Sequence, residues 1–98
     1  MRLAAKIDRN QSEIVDAFRK FGCSVLILSQ VGKGCPDILV SKNRSSNILV
    51  EIKDGSKAPS KRVLTADQQK FHENWRGPVV QVHDLEDVIN LVRAMEQC

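Results

Sequence analysis

No apolar run in this sequence approaches the about 20 residues needed to cross a bilayer, so a membrane-spanning role is not supported. Cysteine is scarce. Cys23, Cys35 and Cys98 are an odd number without metal-ligand spacing, and no apolar leader-like stretch precedes them. They give neither a disulfide framework nor a zinc site, and the expectation is a reduced, cytoplasmic protein. A strong excess of one charge is also missing. Fifteen Lys and Arg stand against 12 Asp and Glu, and the net +3 permits nucleic-acid binding without requiring it. There is no internal repeat and no linker. The 98 residues allow one compact domain over residues 1–98, because separate cores need roughly 50 residues each. Folding at this size buries roughly 65% of the chain's surface. The 42% hydrophobic content can therefore build a core without staples.

The pattern along the chain predicts the order αβββαβα. From Asp8 to Phe21 the apolar residues Ile14, Ala17, Phe18 and Phe21 recur at steps of three and four, and Gly22 follows where a left-handed cap belongs. Ser24 to Ser29 reads as a buried strand, ended by the Gly-rich stretch Val31 to Gly34. A second strand is expected over Asp37 to Ser41. The polar cluster Lys42 to Asn47 reads as a turn, and Ile48 to Lys53 as a third strand. Thr65-Ala66-Asp67-Gln68 fits a capping box opening a helix to about Trp75, which Gly77-Pro78 ends. Val79 to His83 alternates as a fourth strand. Asp84 opens a last helix with Leu85, Val88, Ile89 and Val92 on its apolar face. Short loops make the first three strands antiparallel, and the helical return makes the third and fourth parallel. The fold class is α/β, a mixed central sheet flanked by helices.

The chemistry lies in charges set inside strands. Glu51 and Lys53 interrupt an apolar run, and burying either charge alone costs several kcal/mol. Residues two apart share one face of a strand, so the carboxylate and the ammonium project together while Val50 and Ile52 pack on the other face. Asp37 opens the preceding strand after Pro36 and the glycines, which places it across a hairpin from Glu51. Two converging carboxylates repel unless a cation lies between them. Oxygen-only ligation suits Mg2+ or Mn2+ and argues against zinc. Such a cation binds a phosphate oxygen and acidifies water, with Lys53 to orient or deprotonate that water. The reaction that fits is phosphodiester hydrolysis.

The order Gly32-Lys33-Gly34-Cys35-Pro36-Asp37, then 13 residues, then Glu51-Ile52-Lys53, resembles the PD-(D/E)xK nucleases. With a helical Glu near the start and the Leu64-Thr65-x-x-Gln68 helix opening, the layout over about residues 10 to 93 resembles the VRR-NUC (virus-type replication-repair nuclease) family. This resemblance implies a restriction-endonuclease-like fold, with Asp37 and Glu51 as metal-binding carboxylates and Lys53 as the catalytic lysine. It adds the Ile52 backbone carbonyl as a metal ligand, Glu13 as a first-helix acid assisting metal or water, and Gln68 as the glutamine of the later helix. Cys35 departs from the small or apolar residue usual there. The resemblance further implies a homodimer, of phage or prophage type, cutting four-way (Holliday) junctions in DNA.

Plainer accounts stand beside these. Glu51 and Lys53 also fit an edge-strand ion pair, Asp37 a turn residue after Pro, Glu13 a solvated helix residue, and Gln68 a capping partner of Thr65. Lys57, Lys61 and Arg62 lie in a flexible basic loop suited to phosphate contact or to solvent. Lys33, in the loop entering the PD motif, is placed for a phosphate. Phe71 and Trp75 read as core anchors, His72 as a helix-surface residue and His83 as a strand-end residue. A flap nuclease and a non-catalytic nucleic-acid-binding module are the alternatives to a junction endonuclease.

Overall fold

The computed structural model describes residues 10–44 and 46–97. Helix α1 (Gln11–Lys20) forms because Gln11, Ile14, Val15 and Phe18 fall on one buried stripe at steps of three and four. Glu13 stands in its first turn and Arg19 and Lys20 in its last, as the helix dipole favours. A Schellman motif ends it. Gly22 sits at φ +88°, its N–H donates to Arg19 O, and the Cys23 N–H donates to Phe18 O, each at 3.0 Å. The expected residues Asp8 and Arg9 of this helix lie outside the described region.

Four strands follow, β1 (Ser24–Ile27), β2 (Ile38–Lys42), β3 (Ser46–Ile52) and β4 (Val79–Val82), lying side by side in that order. β1 pairs with β2 and β2 with β3 antiparallel, and β3 pairs with β4 parallel, as the loop lengths predict. β2 and β3 run one residue further at Lys42 and two at Ser46 than the polar cluster suggested, because Asn43 and Arg44 both take φ +58° and tighten the turn. Between β3 and β4 the chain passes through a 3-10 turn (Pro59–Lys61) and helix α2 (Ala66–Asn74). The basic loop is thus partly ordered by backbone hydrogen bonds at Lys61 and Arg62. Helix α3 (Leu85–Glu96) closes the order, capped by Asp84.

Alternation along the strands separates two faces. Ile38, Val40, Ile48, Val50, Ile52 and Val82 point to one side, where they meet Ile14, Val15 and Phe18 of α1 and Val88, Val92 and Met95 of α3. Leu85 of α3, expected on the apolar face, is exposed. The expected burial of β1 is likewise corrected. It is an edge strand with one neighbour, and Leu26 and Ile27 are 57% and 51% exposed. Its continuous apolar run mimics a strand covered on both sides, and pattern alone does not separate the two cases. Helix α2 buries no residue in this core. It lies instead on the second face of the sheet, where Glu51 emerges. No described helix is long and apolar enough to cross a membrane.

Candidate active site

The β2–β3 register pairs Ile38 with Val50, and one step further it sets Asp37 directly opposite Glu51. Asp37 stands just outside β2, so its carboxylate is free to take a backbone donor. Its Oδ2 accepts the Ile52 N–H at 2.7 Å, which fixes the side chain against β3. Glu51 is 2% exposed, while Val50 and Ile52 beside it fill the core on the other face. Two acids therefore share one wall, one of them fully enclosed.

Helix α2 supplies the opposite wall. Thr65 accepts the Gln68 N–H at 3.2 Å and the Gln68 Oε1 accepts the Thr65 N–H at 2.9 Å, the expected capping box. The same Gln68 Oε1 accepts the Lys53 ammonium at 2.8 Å, and Gln68 Nε2 donates to Glu51 Oε2 at 3.3 Å. One carboxamide thus bridges the strand's acid and its lysine while capping the helix. Gly34 brings the helix this close. A Cβ there would lie 2.3 Å from the Asp67 carbonyl oxygen, and the backbone is at φ +80°, so only glycine fits.

Between these walls lies a cleft of about 310 Å³ that holds Asp37, Glu51, Lys53 and Gln68, with Lys33, Cys35 and Asp67 around it. Its floor includes Ser29, which is buried and exchanges hydrogen bonds at 3.1 and 3.3 Å with the Gln11 side chain of α1. Burial, and then the Glu51 and Asp37 charges, push the Cys35 thiol up, so it stays protonated at neutral pH. Burial, and then the Lys53 charge, hold His72 below its usual value of 6.5.

The sequence matches no family model and no curated protein. A solved structure described as "VRR_NUC domain" matches it at a TM-score of 0.65 and 30% sequence identity, over 92% of this chain and 97% of that one. The chain belongs to the VRR-NUC family. The VRR-NUC assignment carries with it the PD-(D/E)xK nuclease type and the mixed, helix-flanked sheet found here.

Within the VRR-NUC fold the sequence-based site residues divide. Asp37, Glu51, Lys53 and Gln68 are brought together, with Lys33 at the rim and Ile52 adjoining through its backbone. Glu13 is not. It is exposed and lines two other depressions, one with Leu85, Asp16 and Lys20 and one with Asp54 and His83. The helix turn explains this, since Glu13 lies about 200° around α1 from Gln11, the residue that reaches the cleft floor. Lys57 and Lys61 are exposed on the β3–α2 connection, and Arg62 is half-buried with its Nε enclosed. None of the three lines the cleft.

Two side chains that hold residues of the cleft without lining it, Gln11 through Ser29 and Asn10 through the Lys53 carbonyl, were absent from the sequence expectations. Gln11 was legible as a polar residue in phase with Ile14, Val15 and Phe18. Asn10 was not: instead of capping α1 it donates from Nδ2 to the Lys53 and His83 carbonyls at 3.3 and 3.1 Å, tying the helix start to the ends of β3 and β4. His72 is corrected from a surface residue to one whose Nε2 is enclosed on the Lys53 side of α2. Trp75 is corrected in the opposite sense, from core anchor to 48% exposed.

Proposed function

We propose that residues 1–98 form one nuclease domain, a Mg2+- or Mn2+-dependent endonuclease acting on branched DNA. The observation that carries this reading is Asp37 placed opposite Glu51, with Gln68 joining Glu51 to Lys53. Among the described residues no group of three or more His, Cys, Asp and Glu side chains converges. The donor set is therefore two carboxylates plus the Ile52 carbonyl and water. The carboxylates and the carbonyl are oxygen donors, a set that fits a hard divalent cation rather than zinc.

Asp37 and Glu51 would hold that cation, and when bound it supplies Lewis-acid activation of a phosphodiester and acidified water. Lys53 is held by Gln68 where its ammonium neutralises charge growing on the phosphoryl oxygens and orients the attacking water. The water oxygen bonds to phosphorus, the bond to the leaving sugar oxygen breaks, and that oxygen takes up a proton. Lys33 at the rim faces a neighbouring phosphate.

Four-way-junction cutting by a homodimer is the specific form we assign from the family resemblance. A C2 pair of sites matches a two-fold junction. The test is cutting of four-way, flap, splayed and linear duplex DNA in Mg2+ and in Mn2+, with dimerisation followed by sedimentation. Lys53→Ala is expected to lower cutting by about 10²- to 10⁴-fold while leaving DNA binding in place. Equal cutting by both proteins would remove the active-site assignment, and band shifts without product would favour a binding module.

A further inference from the structure

Around the flank of α2 a second, open groove shares Lys33 and Asp67 with the cleft and continues to Lys70, Phe71 and Trp75. Positions 71 and 75 are one helical turn apart, so their rings meet on one face. The two rings stack with centroids 5.2 Å apart and planes 15° from parallel. Phe71 therefore covers part of one indole face, while Trp75 as a whole remains 48% exposed. The plane is also fixed from the side. A Cβ at Gly77 would come 2.9 Å from Trp75 Nε1, so the backbone there closes directly on the indole edge.

A half-exposed aromatic ring in one groove with two exposed lysines matches the chemistry of a nucleotide, with a π face for the base and ammonium groups for flanking phosphates. Inside a duplex the base faces are covered by their neighbours, so such a plane takes a base that has left the helix. Trp75 stands seven residues from Gln68, about 10 Å along α2, which is the reach of about three stacked nucleotides. We infer that this groove is a stacking platform on which Trp75 receives an unpaired base within about three nucleotides of the scissile phosphate. Lys33 and Lys70 hold its phosphates. The branched DNA of the proposed function then offers an unpaired base beside the cut, at the opened branch point of a junction or in a flap or splayed arm, and not within continuous duplex. The inference rests on the nuclease reading of the adjoining cleft.

Trp75 is the chain's single tryptophan, so its emission reports the platform directly. The full chain in EDTA, which prevents cutting, is titrated with a thymidine oligonucleotide, a flapped duplex and a blunt duplex, with binding followed independently by anisotropy of labelled DNA. Emission is expected to be quenched at saturation by the first two and not by the third. Trp75→Ala should weaken flap binding by about 5- to 150-fold, equivalent to about 1–3 kcal/mol, and Trp75→Phe should restore most of it. Blunt-duplex binding should not change. Unquenched emission at saturation overturns the platform, as does equal weakening of flap and blunt duplex by Trp75→Ala. Should that variant not fold, the wild-type emission decides alone. Quenching without metal-dependent cutting would leave the platform standing and remove the nuclease reading, whereas cutting with silent Trp75 emission would do the reverse.

Discussion

The Lys53 ammonium donates to Gln68 Oε1 at 2.8 Å, and that same oxygen accepts the Thr65 N–H that completes the cap of α2. Stability and site geometry therefore meet in one side chain, and substitution separates them. Gln68→Glu keeps the capping-box acceptor for the Thr65 N–H, because Glu serves equally in that role, so any loss of stability, about 1–3 kcal/mol without a cation, comes from the new carboxylate beside Glu51 and not from the cap. It also replaces the Nε2 donor to Glu51 by a third carboxylate, and cutting should fall by about tenfold or more. Gln68→Ala should lose about 1 kcal/mol of stability together with activity. Urea unfolding and initial cutting rates check both. A Gln68→Glu protein that cuts at the wild-type rate would show the bridge to be incidental.

Gly32 and Gly34 share a left-handed backbone, φ +76° and +80°, but differ in the space around them. Nothing lies within 4 Å of a Cβ at Gly32, whereas at Gly34 it would strike the Asp67 backbone. Gly32→Ala should thus cost only the strain, about 1–2 kcal/mol. Gly34→Ala should cost that plus about 1–3 kcal/mol of overpacking, and should push α2 with Gln68 away from β3. Comparing urea midpoints of the two variants tests the helix placement. Equal midpoints would mean that α2 is not held by this contact.

The elements and their order were readable because each is marked by local chemistry: the Gly22 terminator, the Thr65 capping box, and the Asp84 cap. The pairing of Asp37 with Glu51 was readable too, since a short hairpin leaves little freedom of register. Whatever depends on which face of an element meets which neighbour was not. Glu13 and Gln11 differ by two residues in sequence, yet only the packed helix shows that the amide and not the acid turns toward Ser29. Trp75 looks like core by composition. It is exposed because α2 lies over a polar cleft instead of over the hydrophobic layer.

His72 gives the folding stability a pH dependence with a definite sign. Its Nε2 is enclosed without a hydrogen-bond partner among the described residues, and burial followed by the Lys53 charge depresses its proton affinity. The unfolded chain therefore takes the proton first as pH falls. This contribution to stability is whole above the ordinary value of 6.5 and is lost as pH drops through the lower folded value. Urea unfolding from about pH 8 to about pH 5 should show a steeper loss for wild type than for His72→Gln. Parallel curves would place His72 in solvent.

Glu51 pits stability against function most directly. Its carboxylate is 2% exposed and faces Asp37, so without a cation the folded state carries two acids at close quarters, one of them desolvated. Glu51→Gln keeps the shape and an acceptor for Gln68 Nε2 while removing the charge. In EDTA the variant should be the more stable protein by about 1–3 kcal/mol, with about 4–8 °C in Tm for each kcal/mol. Millimolar Mg2+ or Mn2+ should reverse the order, because a ligand bound only by the folded state raises its Tm, and a site with one carboxylate holds the cation far less tightly. Differential scanning calorimetry of both proteins with and without metal reads this crossing. If wild type gains nothing from either metal, or if Glu51→Gln gains as much, then Asp37 and Glu51 do not form a cation site and the hydrolytic reading of the cleft fails with them.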